Sequence, residues 1–469
     1  MPVMNLPIIK GDRTDGRADY TDALPVNLTA VAREILGASG YLLSHSGLTL
    51  HGTGLGLDRA GYWNERLSIH FRVSGTDLIS LAADGTVVSL GAITGTEQAS
   101  MTHSFNTQSI VVDGKWWLYD GTTFTQQLDP DLGAPIDHTW IDGYYFFTDG
   151  EFIYHTDITD ETSISPLKFA TSEFSPDPTL GVSTTSDNQV IVFNRFTTEY
   201  FVNRATENFT FQRISGKAVK CGSVGTFSTT EVEGRFFVIG GGRDEVVSIH
   251  QISAGTYSSI ATREVDQILA TYTETELKKA VLETRVEDED RFIVARLPNH
   301  TLLFNATIAS TLGKAVAWTI VKSGVVDSTK WRGTNGVFDP RIAKFVYGDN
   351  QNTNIGILDR TIASQYGNQV EALFYSPLVN LETASVDELE VDTIPGHQID
   401  SSKVTLAISQ TTNGFSYGKE FWSTISTPSN FGLRYINYML GYVDQNIGYK
   451  FRCVTTERVN FLNIKVTYG

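Results

Sequence analysis

Residues Ile141 to His155 read IDGYYFFTDGEFIYH. Two aromatic-rich runs, Tyr144 to Phe147 and Phe152 to Tyr154, flank the pair Asp149-Gly150. Aromatic side chains favour a pleated, half-buried backbone, and Asp-Gly takes positive φ at little cost, so the stretch predicts a β-hairpin.

The pattern recurs. Ser68 to Leu81 turns at Ser74-Gly75, and Ser109 to Tyr119 at Asp113-Gly114. Gln189 to Val202 turns near Asn194-Arg195, and Phe236 to Ile249 through Gly240-Gly241-Gly242. Phe292 to Phe304 turns at Pro298-Asn299, and Ala343 to Leu358 through Gly348-Asp349. Seven hairpins, each about 36–58 residues from the next, leave room for two further strands apiece, which is the spacing of propeller blades. The expected fold is all-β: a six- or seven-bladed β-propeller over 52–362, a C-terminal β-sandwich over 363–469, and a short helical insertion at 262–281. Segment 1–51 is expected to hold a short helix from Thr29 to Leu36 and a strand, Tyr41 to Leu50, that closes the ring. Such closure removes an exposed sheet edge.

The longest hairpin interval has its own cause. The stretch REVDQILATYTETELKKAVLE, from Arg263, has Val265, Ile268, Leu269 and Tyr272 on one helical face, and Thr273 to Glu276 forms a capping box. In the sandwich the expected strands are Ala372 to Tyr375, Leu389 to Val391, Val404 to Ser409, Tyr449 to Thr455 and Leu462 to Val466.

Composition narrows the function. The net charge is −17 over 469 residues, which argues against a protein that coats nucleic acid. The two cysteines, Cys221 and Cys453, read as separate buried thiols. No apolar run is long enough to span a membrane, and no secretory leader is apparent, so stable membrane insertion is not expected. Nucleophile elbow, phosphate loop and zinc-ligand spacings are absent from the sequence. No catalytic residue, cofactor or metal is therefore expected. Glu287-Asp288-Glu289-Asp290 reads as a solvated turn, because neighbouring side chains diverge. Glu199-Tyr200, with Arg195, Arg204 and Arg213 nearby, is the nearest approach to a sialidase-like pair, and reads instead as strand residues of one blade.

Several stretches resemble the packaged-DNA stabilisation protein, or tail hub, of lambdoid short-tailed phages of the Salmonella podovirus type. They are Tyr20-Thr-Asp-Ala-Leu24-Pro25-Val26-Asn27, Glu34-Ile-Leu36, Ser39-Gly-Tyr-Leu42, Gly47-Leu-Thr49, and Thr198-Glu-Tyr-Phe201. Further along come Tyr272-Thr273 with Glu276, Leu282-Glu-Thr284, Leu297-Pro298 with His300, Ser364-Gln-Tyr366, Thr412-Asn-Gly414 and Tyr417-Gly-Lys-Glu420. The resemblance implies a non-enzymatic virion protein, assembled in the host cytoplasm and residing in the tail. It implies a homohexamer below the portal and adaptor protein that continues the DNA channel, seals packaged DNA and mounts the tail needle and tailspikes. Double-stranded DNA would pass through its lumen without tight binding, past walls expected to be acidic. The alternatives are a propeller glycosidase, marked by carboxylates and arginines converging in the funnel, and a carbohydrate-binding protein, marked by exposed tryptophans among Trp63, Trp116 and Trp117. Candidate interface residues are Tyr20, Asp22, Leu24, Pro25, Glu264, Ile268, Tyr272 and Glu276, in the two segments that depart from the blade pattern.

Overall fold

The computed structural model describes all residues except 7, 9–23, 36–37, 39, 173, 207–208, 254, 327–328 and 397–402. Seven antiparallel sheets follow one another along the chain, six of four strands and one of five. Their first strands touch in a ring, from Asp58–Asn64 through Ser100–His103 and Asp137–Ile141 to Thr179–Thr184, and from Val281–Glu287 through Gly333–Asp339 back to Asp58–Asn64. This is a seven-bladed propeller, numbered here from blade one at Asp58.

The deciding hairpin forms the middle of blade three, where Tyr144–Thr148 pairs with Phe152–Asp157. Its turn differs in detail from a two-residue hairpin. Only Gly150 has positive φ, and the Asp149 carboxylate accepts the amides of Glu151 and Phe152 at 3.0 and 2.7 Å. Asp113-Gly114 and Asp142-Gly143 adopt the paired positive-φ form, with φ of 53° and 68°, and 52° and 89°. Burial explains why the aromatic run sits here. Tyr145 and Phe147 reach the face of blade two, where Trp116 is fully buried against both rings at centroid distances of 5.6 and 4.9 Å.

The ring is closed from the N-terminal side, but by Gly47–Thr53 pairing with Asn354–Asp359 of blade seven. The expected closing strand, Tyr41 to Leu50, is thus split. Tyr41–Ser44 instead joins a three-stranded sheet between Leu28–Val31 and Asn460–Phe461. The helix expected from Thr29 is corrected too. Leu28–Val31 is a strand with Leu28 and Ala30 buried. Pairing with Tyr41–Ser44 and burial of Leu28 and Ala30 outweigh the weak helical period of a stretch containing Thr29 and Val31. Leu36 and Gly37, its expected end, lie outside the described residues.

The C-terminal sandwich packs two sheets. One runs Val370–Tyr375, Asn446–Thr455, Val404–Thr411, Phe421–Ser426. The other begins with the chain's own Val3–Leu6 and continues through Asn463–Tyr468 and Ala384–Asp392 to Tyr435–Val443. One continuous core joins the sandwich to blades five and six, from Phe451 and Phe461 to Trp318 and Ile249. Cys221 and Cys453 are fully buried, in different clusters, and burial pushes both thiols up to about 12. Thiol titration of the native protein at pH 8 should therefore register no reactive cysteine, and after denaturation two; a native signal would contradict this packing.

Candidate interaction surfaces

The propeller funnel is a cavity of about 380 Å³ lined by first strands, with Tyr62, Gln98, Asp137, Glu283 and Asn335 among its polar residues. Most of its charges are bound to one another. Arg72 forks onto Asp58 at 2.7 and 2.9 Å. Asp58 accepts from the Asn335 side chain at 2.7 Å, and Asn335 in turn accepts from Gln98 at 2.6 Å and Arg296 at 2.9 Å. Glu283 faces Arg296 at 2.5 Å and takes the amides of Asn335 and Gly336 at 2.9 and 3.1 Å. The network stitches blades one, six and seven together, and these arginines are committed to protein partners. Burial pushes the Asp137 carboxyl up to about 6, against hydrogen bonds from the Ser100 hydroxyl and the Val182 amide that favour its anion.

The sialidase-like pair is likewise internal. Glu199 is fully buried and accepts from Ser172, Asn194 and the Phe174 amide, while Arg213 reaches it at 3.4 Å. Arg195 turns away to Glu274 of the insertion, at 2.7 Å. Trp117 stacks on Phe124, and Arg341 lies over Trp63, so the three tryptophans form no common exposed platform. The acidic run is a hairpin turn between Val281–Glu287 and Asp290–Arg296, in which Asp288 and Glu287 hold Arg360. Among the described residues no cluster of potential ligands could hold a metal ion, and no helix is long and apolar enough to cross a membrane.

The insertion consists of helices Arg263–Ala270 and Glu274–Leu277. The capping box is complete: the Glu276 carboxylate accepts the Thr273 amide at 2.8 Å, and the Thr273 hydroxyl accepts the Glu276 amide at 3.3 Å. Val265, Leu269 and Leu277 are buried beneath. Ser248 donates to Asp266 at 2.6 Å, and Tyr272 meets His300 of the blade-six turn at 2.5 Å. Of the candidate residues here, Glu264, Ile268 and Tyr272 are half-buried and Glu276 is exposed.

The N-terminal motif has a different place. Tyr20 and Asp22 lie outside the described residues. Leu24 and Pro25 are buried within the chain, which leaves their side chains no surface for a partner. Beside them, Val26 bridges Ile320 of blade six and Leu373 of the sandwich. Buried Asn27, at φ 52°, donates to the carbonyls of Lys322 and Glu371 at 3.1 and 2.8 Å and accepts the Lys322 amide at 2.9 Å. The motif is a staple between the two bodies.

Two apolar surfaces had no counterpart in the sequence reading. One is the remote edge of the sandwich, where Phe421 and Trp422 are exposed on one edge strand and Tyr438, Met439 and Tyr442 on the edge strand of the other sheet, which touches it. The signal was available: Tyr435 to Val443 and Phe421 to Ser426 contain no charged residue. The second is the outer edge of blade three, where Ile158, Leu167 and Phe169 are exposed, with exposed Leu128 at the end of the outer strand of blade two beside it.

Comparison with known proteins adds the following. The family model described as "Bacteriophage P22 Gp10, beta-propeller" matches residues 4–363, and that described as "Bacteriophage P22 Gp10, beta-sandwich" matches 371–469. The tail hub protein gp10 of Salmonella phage P22 is 29% identical over 487 aligned residues, covering 99% of each chain. Among solved structures, a streptogramin B lyase aligns at 11% identity and TM-score 0.42, over 68% of this chain and 97% of that one. A virginiamycin B lyase from Staphylococcus aureus aligns at 12% and 0.44, over 68% and 99%.

Proposed function

Since this chain belongs to the bacteriophage P22 Gp10 family, we propose that it works as a structural tail hub in a phage virion. In this reading it continues the DNA channel below the portal and adaptor ring, seals packaged DNA, and mounts the tail needle and tailspikes as a homohexamer. It performs no catalysis. The observation that carries the reading is the alignment with a tail hub protein across essentially the whole of both chains. A funnel whose arginines and carboxylates are bound to one another supports a scaffold over a propeller glycosidase. The exposed side of the insertion, with Glu264, Ile268, Tyr272 and Glu276, is the adaptor or neighbour contact in this reading.

The test is particle assembly without the chain. Phage particles made with its gene disabled should lose packaged DNA and carry neither needle nor tailspikes, and supplying the chain should restore them. Stable, DNA-filled, tailed particles formed without it would refute the reading.

The charge of −17 leads to a further expectation. An acidic or neutral lumen lets duplex DNA slide, whereas a basic one would grip phosphate with a steep salt dependence. The isolated assembly should show no salt-sensitive duplex binding at about 50 mM salt, conditions that favour phosphate contacts. Tight binding that salt abolishes would show a protein that grips DNA.

A further inference from the structure

The funnel cavity, about 380 Å³, has room for about a dozen water molecules and lies in the size range of small-ligand sites. Half-buried Gln98, Ser183 and Thr226 on its wall keep it open to solvent. Among the described residues no partner engages the hydroxyls of Ser183, Thr226, Thr230 and Thr284, which also line it.

Charge decides what such a cavity accepts. Of its lining residues, Asp137 and Glu283 are the acids, and no lysine or arginine is among them. His138 stacks on Phe147, and burial pulls it down to about 3, so it is neutral. Behind the wall Arg72 answers Asp58, and Arg296 answers Glu283. Two positive charges against three negative leave one over, on Asp137. Lys330 stands near Arg296 but does not line the cavity, and no basic group lies close to Asp137.

The carboxylate is held in place. Asp137 is 9% exposed. The Ser100 hydroxyl of blade two donates to Oδ1 at 2.6 Å, and the Val182 amide of blade four donates to Oδ2 at 2.9 Å. The His138 amide serves it as well. A carboxylate offers about four acceptor positions, so about one remains. One position is too few for the two-pronged grip of a guanidinium and enough for one N–H of an ammonium. Gly181 keeps that corner open. A Cβ there would come within 3.2 Å of both Asp137 Oδ2 and the Thr226 carbonyl oxygen, so two acceptors flank a gap the bare glycine leaves. The unengaged hydroxyls can accept the remaining N–H groups. A sugar would leave the charge unanswered, and an anion would be repelled.

We infer that the funnel is a binding site for a primary ammonium group, seated between the Asp137 carboxylate and Thr226. The group belongs to a lysine of another polypeptide or to a free alkylamine, whose heads are the same.

Calorimetry of the full-length chain with 1,5-diaminopentane and with neutral 1,5-pentanediol, at one ionic strength and pH 7, tests the site. The diamine should bind one-to-one and the diol should not bind. Asp137→Asn should weaken the diamine by about tenfold or more. Gly181→Ala, which fills the corner and keeps the charge, should do the same and decides the matter if Asp137→Asn does not fold. Asp131→Asn, at an exposed acid outside the funnel, should change nothing. Equal binding of the diol, unaltered binding in the folded funnel variants, or no one-to-one binding by the wild type overturns the inference. The source is read in assembled particles carrying Ser183→Cys, since both native cysteines are buried, with a short maleimide–succinimidyl reagent. Linkage to a second polypeptide, lost when Asp137→Asn is added, assigns the ammonium to its lysine. Diamine binding without such linkage assigns it to a free amine. This last arm rests on the hub reading and the calorimetry does not, so the failure of either is told from the other.

Discussion

Lowering the pH from 7 to 4.5 is expected to remove about 6 kcal/mol of folding stability, a large part of what a domain possesses. The cause is a set of buried histidines held neutral. His155 donates from Nδ1 to the Thr156 carbonyl at 2.8 Å and accepts the Thr210 amide on Nε2 at 3.2 Å, so neither nitrogen has room for a second proton. His70 sits between Asp339 and Arg72, each at 3.2 Å, and the guanidinium occupies its Nε2 side. His138 stacks on Phe147 and lies between the hydroxyls of Ser109 and Ser100. Burial, the main cause, pulls His70 and His155 down to about 4 and His138 to about 3. The unfolded chain takes up these protons from about pH 6.5 downward while the folded chain does not. Stability is therefore complete above that value and falls until the folded pKa is reached. Each histidine costs about 2–3 kcal/mol by pH 4.5. Asp137, raised to about 6, works in the opposite direction and returns about 2 kcal/mol. Denaturant unfolding at pH 7, 6, 5 and 4.5 measures the loss. In His138→Gln the decline should be shallower by about 2–3 kcal/mol. A wild-type stability that stays flat between pH 6.5 and 4.5 would show that these histidines are not held neutral.

Replacing Asn27 by alanine should cost about 3–5 kcal/mol. Three hydrogen bonds are lost between blade six and the sandwich; the Lys322 carbonyl keeps the Gln365 amide at 3.2 Å, while the Lys322 amide and the buried Glu371 carbonyl lose the Asn27 side chain. Each orphaned polar group costs about 1–3 kcal/mol. Positive φ adds a penalty that asparagine tolerates and alanine does not. Asn27→Gly relieves the backbone but not the lost bonds, so its cost should lie just below that of alanine. Asn27→Asp retains the acceptor for Lys322 yet sets a carboxylate against two carbonyl oxygens, and should be no milder than alanine. The readouts are the unfolding midpoint and protease cutting within 360–369, which the undocked bodies would expose. A change under about 1 kcal/mol in Asn27→Ala would mean that the staple carries no load.

The propeller was legible because each blade repeats a local signal. Aromatic and β-branched runs beside turn residues need only their neighbours to form, and the capping box at Thr273 is as local as a hairpin. What failed was non-local. Leu28–Val31 reads as a helix until Tyr41–Ser44 lies beside it, and nothing nearby in sequence assigns Val3–Leu6 to a sheet completed by residues 463–468. The family-like residues identify the family without marking its contacts. Leu24, Pro25, Glu199, Tyr200 and Leu282 are buried, and Gln365 hydrogen-bonds to Ser323 inside the fold. Such residues specify the shape and reveal little of the outer surface, where Tyr438, Met439, Leu167 and Phe169 stand.

The first fifty-odd residues visit the sandwich at Val3–Leu6, the junction at Leu28–Val31 and Tyr41–Ser44, and the propeller at Gly47–Thr53. The strands these pair with outside the segment itself all lie beyond residue 350, although Leu28 also accepts the Thr319 hydroxyl. During translation these strands emerge long before Asn354–Asp359, Asn460–Phe461 and Asn463–Tyr468, with which they pair. Blades one to six can form as they appear; the ring closes only when Asn354–Asp359 arrives, and the sandwich sheet is completed later still, with Asn463–Tyr468. The finished molecule is then crossed twice between its two bodies, once near residue 45 and once near 365. A single nick at either crossing leaves them tethered by the other.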